Sequence, residues 1–207
     1  MLPTILAQPV SQPRIAKITV DQYHRMIKTG ILREGAPIEL LDGLLVYKDR
    51  SARRGNPMSV GELHGVVVTL LGELGPLLKH FDCHIRNQAP ISLPPHHEPE
   101  PDGAIVKGVP RDYSKRMPGP EDVYCVIEVA DSSLDYDRTT KLKTYAKFRI
   151  PQYVIINLVE MQIELHEQPI PAKGRYAKTT VLKAGETLAL LAGPAGPLRI
   201  PVAELLP

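Results

Sequence analysis

The feature that most constrains the fold is a nearly unbroken apolar run, Val123-Tyr-Cys-Val-Ile-Glu-Val-Ala130, preceded by Asp122. A continuous apolar run of this length, without alternation of apolar and polar residues, is expected of a central strand buried on both faces. Sheets with such strands are covered by helices. The run therefore predicts a layered α/β domain in which residues 122–130 form a core strand.

Glu128 lies inside this apolar strand. A carboxylate buried there carries a large desolvation cost unless it is paired or holds a cation. Asp102 leads into a short predicted strand, Ala104–Val106, and adjacent strands can place Asp102 beside Glu128. Two nearby carboxylates repel each other and favour a shared positive partner, for which a divalent, oxygen-preferring metal is well suited.

A helix predicted over Asp131–Arg149 supplies a further set of polar side chains. Asp137, Lys141 and Tyr145 are spaced i, i+4 and i+8, so they share one face. If that face packs across the carboxylates, Lys141 can help to deprotonate water and stabilise charge on a phosphate. The alternative for Glu128 is an ion pair with Lys141 or Arg138 and no metal.

Local signals predict the elements that precede the central strand. Thr19 and Gln22 form a capping box, which predicts a helix over Val20–Lys28, and Asp42-Gly43 between two apolar runs predicts a β-hairpin. Helical spacing of apolar residues predicts one long helix over Val60–His80, and a strand is predicted over Cys83–Leu93.

The residues after the Asp131–Arg149 helix are predominantly β-forming. Tyr153–Leu158 and Gln162–His166 predict a hairpin, and residues 175–207 predict one or two weaker strands. Strands thus dominate the middle of the chain, and helices flank them. This order predicts an α/β sandwich around a mixed sheet, not a long alternation of strands and helices.

Length, charge and apolar content limit the remaining possibilities. The 207 residues suit a flexible N-terminal arm, residues 1–17 with three prolines, followed by one domain over 18–207. No apolar run approaches the roughly 20 residues that span a bilayer, and the N-terminus does not resemble a signal peptide. The sequence therefore predicts a cytoplasmic protein that has no membrane partner. The formal charge of +2 neither supports nor excludes nucleic-acid binding. A basic stretch could contact a phosphate backbone or be a solvated loop; its residues are Lys48, Arg50, Arg53 and Arg54.

A set of short motifs occurs in order over roughly residues 19–170. They are Ile38-Glu-Leu-Leu-Asp-Gly43, His64 within its helix, Gln88 before Pro90-Ile-Ser-Leu93, Glu98-Pro-Glu-Pro-Asp102, Val126-Ile-Glu-Val-Ala-Asp-Ser-Ser133, Asp137-x-x-x-Lys141-x-x-x-Tyr145 and Ile150-Pro-Gln-Tyr153. In this order and spacing the chain resembles the Uma family of restriction endonucleases, within the PD-(D/E)XK nuclease superfamily.

The resemblance implies a restriction-endonuclease-like fold, a mixed β-sheet core flanked by helices with additional β-hairpins. It implies a catalytic set of Asp102, Glu128 and Lys141. Asp102 and Glu128 would bind Mg²⁺ or Mn²⁺, with the carbonyl of Val129 completing the inner shell. The same pocket would contain four supporting residues, which are Glu39, Gln88, His64 and Tyr145.

The function implied is metal-dependent hydrolysis of DNA by in-line attack, leaving a 5′-phosphate. A homodimer is expected because nucleases that cut both strands commonly pair two sites by symmetry. The alternatives are a catalytically silent nucleic-acid- or protein-binding module of the same fold, and a hydrolase of another phosphoester such as a nucleotide.

The sequence departs from the family pattern in one catalytically relevant place. The usual pattern has a lysine two residues after the glutamate, whereas this sequence has Ala130 at that position. Lys141 on the next helix is the expected replacement. Phe148-Arg149 and Val154 depart from the family at packing positions.

Two of the supporting residues keep a structural alternative. Glu39 could be an exposed hairpin residue, and His64 could be a satisfied core histidine. His96-His97 lacks partners at metal-ligand spacing, so we do not expect a metal there.

Overall fold

The computed structural model describes residues 15–48 and 61–207. Most of the proposed N-terminal arm and the basic residues Arg50, Arg53 and Arg54 lie outside these ranges, so the predictions about them stay predictions. Within the described ranges, no helix combines the length and the apolar character that crossing a bilayer requires.

The N-terminal helix and hairpin form as their local signals predict. Helix α1 (Val20–Lys28) begins at Thr19, whose hydroxyl accepts from the Gln22 amide at 3.2 Å. Strands β1 (Ile38–Leu41) and β2 (Leu44–Tyr47) are antiparallel. Both turn residues have positive φ, 50° at Asp42 and 75° at Gly43, as a two-residue hairpin turn requires. Both predictions are confirmed.

The long helix predicted over Val60–His80 is instead interrupted. Helix α2 (Glu62–Glu73) ends at Leu74, a short helix α3 (Gly75–Leu78) follows, and Lys79–Phe81 form a 3₁₀ turn. Pro76 explains the break, because a proline removes a helical N–H donor and its ring crowds the carbonyl of the preceding turn. Val60 lies outside the described residues.

A six-stranded mixed sheet forms the centre of the protein, in the order β3-β4-β5-β6-β7-β8. Its strands are β3 (Cys83–Asn87), β4 (Gly103–Lys107), β5 (Val123–Ala130), β6 (Gln152–Asn157), β7 (Gln162–Ile170) and β8 (Arg175–Leu182). β5 and β6 are parallel, and the other neighbouring pairs are antiparallel. The strand predicted to run to Leu93 ends at Asn87, because Gln88 has a φ of 46°, in the left-handed region that no strand continues through.

The parallel pair β5–β6 is joined by a helical crossover, as parallel neighbours require. It consists of α4 (Leu134–Tyr136), a π-helical turn (Asp137–Lys141) and α5 (Leu142–Lys147). After β8, strands β9 (Thr187–Leu191) and β10 (Pro197–Pro201) form a separate two-stranded sheet. The C-terminal region therefore holds three strands, more than the one or two predicted.

Strand β5 is buried on both faces, as its apolar run predicts. One face packs with α2, β9 and β10, and its β5 residues are Cys125, Ile127 and Val129. The other packs with α5, and its β5 residues are Val123, Val126 and Ala130. Because successive strand residues point to opposite faces, Glu128 shares the face of Val126 and Ala130 and points toward the helical crossover.

Candidate active site

Asp102 immediately precedes β4, and Glu128 lies on β5, the antiparallel neighbour of β4. Gly103 on β4 pairs with Ile127 on β5. Asp102 comes directly before Gly103 and Glu128 directly after Ile127, so the two carboxylates lie at the same end of this strand pair. One Asp102 oxygen, Oδ2, accepts a hydrogen bond from the Val129 amide at 2.9 Å. The other, Oδ1, lies 3.0 Å from Nε2 of His64 on α2. His64 is thus a partner of the candidate carboxylate and not a histidine of the apolar core.

The helical crossover contributes both partners of Glu128. The Tyr145 hydroxyl donates to Oε1 at 2.7 Å, and Lys141 Nζ lies 2.9 Å from Oε2. The Glu128 side chain is 3% exposed and that of Lys141 is 12% exposed. Lys141 Nζ also lies 3.7 Å from Asp137 Oδ1. Arg138, the other proposed partner of Glu128, instead binds Glu160 and Glu164.

A π-helical turn brings Asp137 and Lys141 to the site. Such single turns recur at functional sites because the extra residue shifts the direction of the side chains. Asp137 is buried; its Oδ2 accepts from Ser133 Oγ at 2.6 Å, and its Oδ1 has no hydrogen-bond donor among the described residues. The Tyr153 hydroxyl donates to the Asp137 carbonyl at 3.2 Å, which ties the π-turn to the sheet.

Burial and charge shift the pKa values of these groups in opposite senses. Burial raises the pKa of Glu128, although Lys141 opposes this shift. Burial also raises the pKa of Asp137, again opposed by Lys141. For Lys141, burial acts to lower the pKa, but the nearby carboxylates, with Glu128 first and Glu39 next, raise it well above its usual value. Lys141 is therefore a firmly protonated cation.

Asp102 differs from Glu128 because it has a nearby histidine. Burial acts to raise its pKa, but the hydrogen bond and charge of His64 outweigh burial, and the pKa of Asp102 is lowered. The same contact raises the pKa of His64, against the effect of burial. Asp102 is consequently the carboxylate most readily ionised, whereas Glu128 is ionised at a higher cost.

Glu39 on β1 is 3% exposed, so the interpretation of this residue as an exposed hairpin residue is wrong. Its Oε2 accepts from the Glu100 amide at 3.1 Å, which holds the hairpin against the segment before β4. Glu100 in turn forms an ion pair with Lys48. Gln88 is exposed at the end of β3.

A cavity of about 280 Å³ joins these side chains. The sequence-derived candidates that line it are Glu39, His64, Gln88, Asp102, Glu128, Val129 and Lys141. Tyr145 lies behind Glu128 and is fully buried. The sequence alone did not single out Tyr136, which also lines the cavity and whose pKa is raised to about 12 by burial and then by Glu39. Its position next to Asp137 in the sequence was the available signal.

Comparison with known proteins places the chain in a family. Residues 20–203 match the family model of Uma2, described as "putative restriction endonuclease". The chain belongs to the Uma2 family. No match was found among curated proteins.

A solved structure shares the fold of this Uma2 chain. It is described as a "putative nuclease belonging to DUF820" from Anabaena variabilis, with a TM-score of 0.61 and 14% sequence identity. The match covers 91% of this chain and 97% of that one. At this identity the likeness shows the fold, a restriction-endonuclease-like mixed sheet flanked by helices.

In this Uma2 chain the lysine reaches Glu128 from the helical crossover. Ala130, at the usual lysine position, is fully buried against α5 and leaves room for the helix to pack there. Lys141 Nζ takes up the contact with Glu128. The expected replacement of the strand lysine by Lys141 is therefore geometrically possible.

The donor set of this Uma2 site is two carboxylates in a polar cavity. Within residues 15–48 and 61–207, no group of three His, Cys, Asp or Glu side chains is arranged to hold a metal ion. Mg²⁺ does not need such a group, because it is typically held by one or two carboxylates and keeps several waters. Asp102 and Glu128, with the Val129 backbone beside them, fit an ion of this kind better than zinc, which prefers nitrogen and sulfur ligands.

Proposed function

We propose that this protein is a divalent-metal-dependent endonuclease that hydrolyses phosphodiester bonds in DNA. The observation that carries the proposal is an excess of carboxylates around Lys141. Glu128, Glu39, Asp137 and Asp102 all act on the lysine electrostatically, and the site lines an open cavity. Membership of the Uma2 family supports the reaction class.

Asp102 and Glu128 would hold Mg²⁺ or Mn²⁺, and the Val129 carbonyl is the third proposed ligand. A bound divalent ion would polarise a phosphoryl oxygen and lower the pKa of a bound water. The fit rests on the buried Glu128 carboxylate, on which Asp137, Asp102 and Glu39 act as like charges, because a carboxylate taken out of water requires positive charge beside it.

The chain's own residues orient the groups and stabilise charge. Lys141 donates from Nζ to a non-bridging phosphate oxygen and stabilises the negative charge that grows as water attacks phosphorus. Tyr145 holds Glu128 through its 2.7 Å hydrogen bond, and His64 holds Asp102 at 3.0 Å. The bond from phosphorus to the 3′-oxygen breaks as the water oxygen bonds to phosphorus. The attacking water gives up one proton to solvent and the departing 3′-oxygen takes one up, so the products are a 3′-hydroxyl and a 5′-phosphate.

A plasmid-nicking assay with Mg²⁺ or Mn²⁺ tests this function. Replacing Glu128 by Gln or Asp102 by Asn should abolish cleavage, and Lys141→Met should slow it by about 10² or more, as loss of one charge-stabilising donor does. Lys143→Met is the matched control, because Lys143 is exposed on the same helix. Cleavage that persists in Glu128→Gln and Lys141→Met would show that this site does not carry the reaction.

A second candidate is a catalytically silent binding module. A specific observation favours it: each oxygen of Asp102 and Glu128 already has a partner in the protein, namely His64, the Val129 amide, Tyr145 and Lys141. Titration with Mn²⁺ followed by electron paramagnetic resonance separates the two candidates. A metal site lost in Glu128→Gln supports the nuclease, whereas DNA binding with neither metal binding nor cleavage supports the silent module.

Nucleases that cut both strands of DNA commonly pair two sites by symmetry, so we also propose a homodimer related by a two-fold axis. Sedimentation equilibrium over a range of protein concentrations measures this directly. A monomer at all concentrations, with double-strand breaks still formed, would contradict it.

A further inference from the structure

A second cleft adjoins the candidate active site. It lies between α1 with the segment that follows it, on one side, and the segments around Pro90, Glu98 and Met117 on the other. Its volume is about 730 Å³. Glu100 lines both this cleft and the active-site cavity, so the two are neighbours across one residue.

One part of the wall of this cleft is apolar. It includes Ile27, Leu32, Ile38, Pro90 and Met117. An apolar wall has no use for a phosphate backbone, which is bound by cations and hydrogen-bond donors. It does suit the flat face of a nucleobase, which binds through dispersion and loss of hydration. In a duplex that face is covered by neighbouring base pairs, so the cleft fits an unpaired base.

Cations lie at the same cleft. Lys28 and Arg33 line it, both are exposed, and neither forms an ion pair within the part of the chain that the structure describes. The buried acid Glu98 is held by His24, whose Nε2 lies 2.8 Å from both carboxylate oxygens. Glu34 and Glu100 are further acidic residues of the lining, and Glu100 is paired with Lys48. Lys28 and Arg33 are therefore the groups available to a phosphate.

We propose that this second cleft binds an unpaired nucleotide of the DNA strand next to the scissile phosphate. The base lies against Ile27, Leu32 and Met117, and the adjoining phosphates contact Lys28 and Arg33. The proposal rests on the proposed function, since it assigns a path to the strand that occupies the active-site cavity. It predicts that the substrate is single-stranded or carries an unpaired segment near the cleaved bond.

Fluorescence anisotropy with a labelled single strand of about 12 nucleotides, in the absence of divalent metal, tests the phosphate contacts. We expect Lys28→Ala combined with Arg33→Ala to raise Kd by roughly tenfold at low salt. Each lost contact should reduce the slope of log Kd against log salt by about 0.7. Arg25→Ala is the matched control for Lys28→Ala, because Arg25 is exposed on α1 but does not line the cleft.

An equal loss of affinity in Arg25→Ala, or no loss in the double variant, would overturn the proposed phosphate contacts. The base contact is tested by comparing the single strand with a blunt duplex of the same length. The protein should favour the single strand, and Met117→Ala should reduce that preference without changing the salt slope. Equal affinity for both forms, unchanged in Met117→Ala, would overturn the assignment of an unpaired base.

Measuring strand binding and cleavage separately shows whether this inference or the proposed function has failed. Strand binding that depends on Lys28 and Arg33 but is never followed by cleavage leaves the cleft assignment standing and removes the nuclease. Metal-dependent cleavage that requires Glu128, with affinity and strand preference unaffected by the cleft variants, leaves the nuclease standing and removes the cleft assignment.

Discussion

Replacing Lys141 by methionine tests whether this lysine is the internal counter-charge of the site. Its Nζ lies 2.9 Å from Glu128 Oε2, and the two side chains are 12% and 3% exposed. Removing one partner of a buried ion pair typically costs about 3–5 kcal/mol, because the other charge stays buried and unpaired. Since burial already raises the pKa of Glu128, this carboxyl can take up a proton, which limits the cost. We therefore expect a loss of about 3 kcal/mol in the free energy of unfolding at neutral pH.

Urea denaturation measures the loss, and its pH dependence identifies the cause. A carboxyl whose pKa is higher in the folded than in the unfolded state destabilises the protein increasingly as pH rises above the unfolded value. Lys141→Met should therefore be destabilised less at about pH 5 than at neutral pH. Lys143→Met, on the exposed face of α5, should change stability by less than about 0.5 kcal/mol.

The double variant Lys141→Met with Glu128→Gln completes the test. Replacing the carboxylate by an amide removes the unpaired charge, so the double variant should recover most of the stability lost in Lys141→Met. A Lys141→Met protein within about 0.5 kcal/mol of the wild type, or no recovery in the double variant, would refute the argument that Lys141 neutralises a buried Glu128.

Three other predictions follow from single contacts. The side chain of His97 is 13% exposed, and burial lowers its pKa from 6.5 to about 4. The unfolded chain binds this proton first, so stability should fall by up to about 3 kcal/mol between pH 6.5 and 4, and His97→Gln should flatten that urea-denaturation profile. Tyr145→Phe removes the hydrogen bond to Glu128 and should lower the free energy of unfolding by about 1.5–3 kcal/mol; an unchanged urea midpoint would contradict this. Cys83 and Cys125 are buried thiols whose pKa values burial raises, so they should react with a thiol reagent only when the protein unfolds, and rapid labelling of the folded protein would count against that placement.

The parts of the fold that depend on neighbouring residues were predictable. Helix α1 follows from the Thr19 capping box, and the first hairpin follows from Asp42-Gly43, because each signal acts within a few residues. The proximity of Asp102 and Glu128 was also predictable, because it needs only two adjacent strands in a common register. The break after α2 could have been recognised from Pro76, whose effect is local.

The parts that depend on tertiary packing were not predictable in the same way. The contact between His64 and Asp102 joins residues on α2 and before β4, and no sequence spacing specifies it. The burial of Glu39 depends on how the hairpin docks against the segment containing Glu100. The π-turn that positions Lys141 is an irregularity of the helix ladder, and helical periodicity predicts a regular α-helix there.

The helical position of Lys141 makes the proposed activity depend on the docking of one element on another. Because the lysine is not on the strand that holds Glu128, its distance from that carboxylate depends on how closely the crossover helix rests on the sheet. Tyr145 and Tyr153, with ring centroids 5.0 Å apart, form part of that contact. We expect the crossover helix to separate from the sheet on heating before the β-ladders open. Thermal inactivation should therefore precede loss of β-structure, and adaptation to growth temperature can proceed through substitutions beneath the helix that leave the carboxylates untouched.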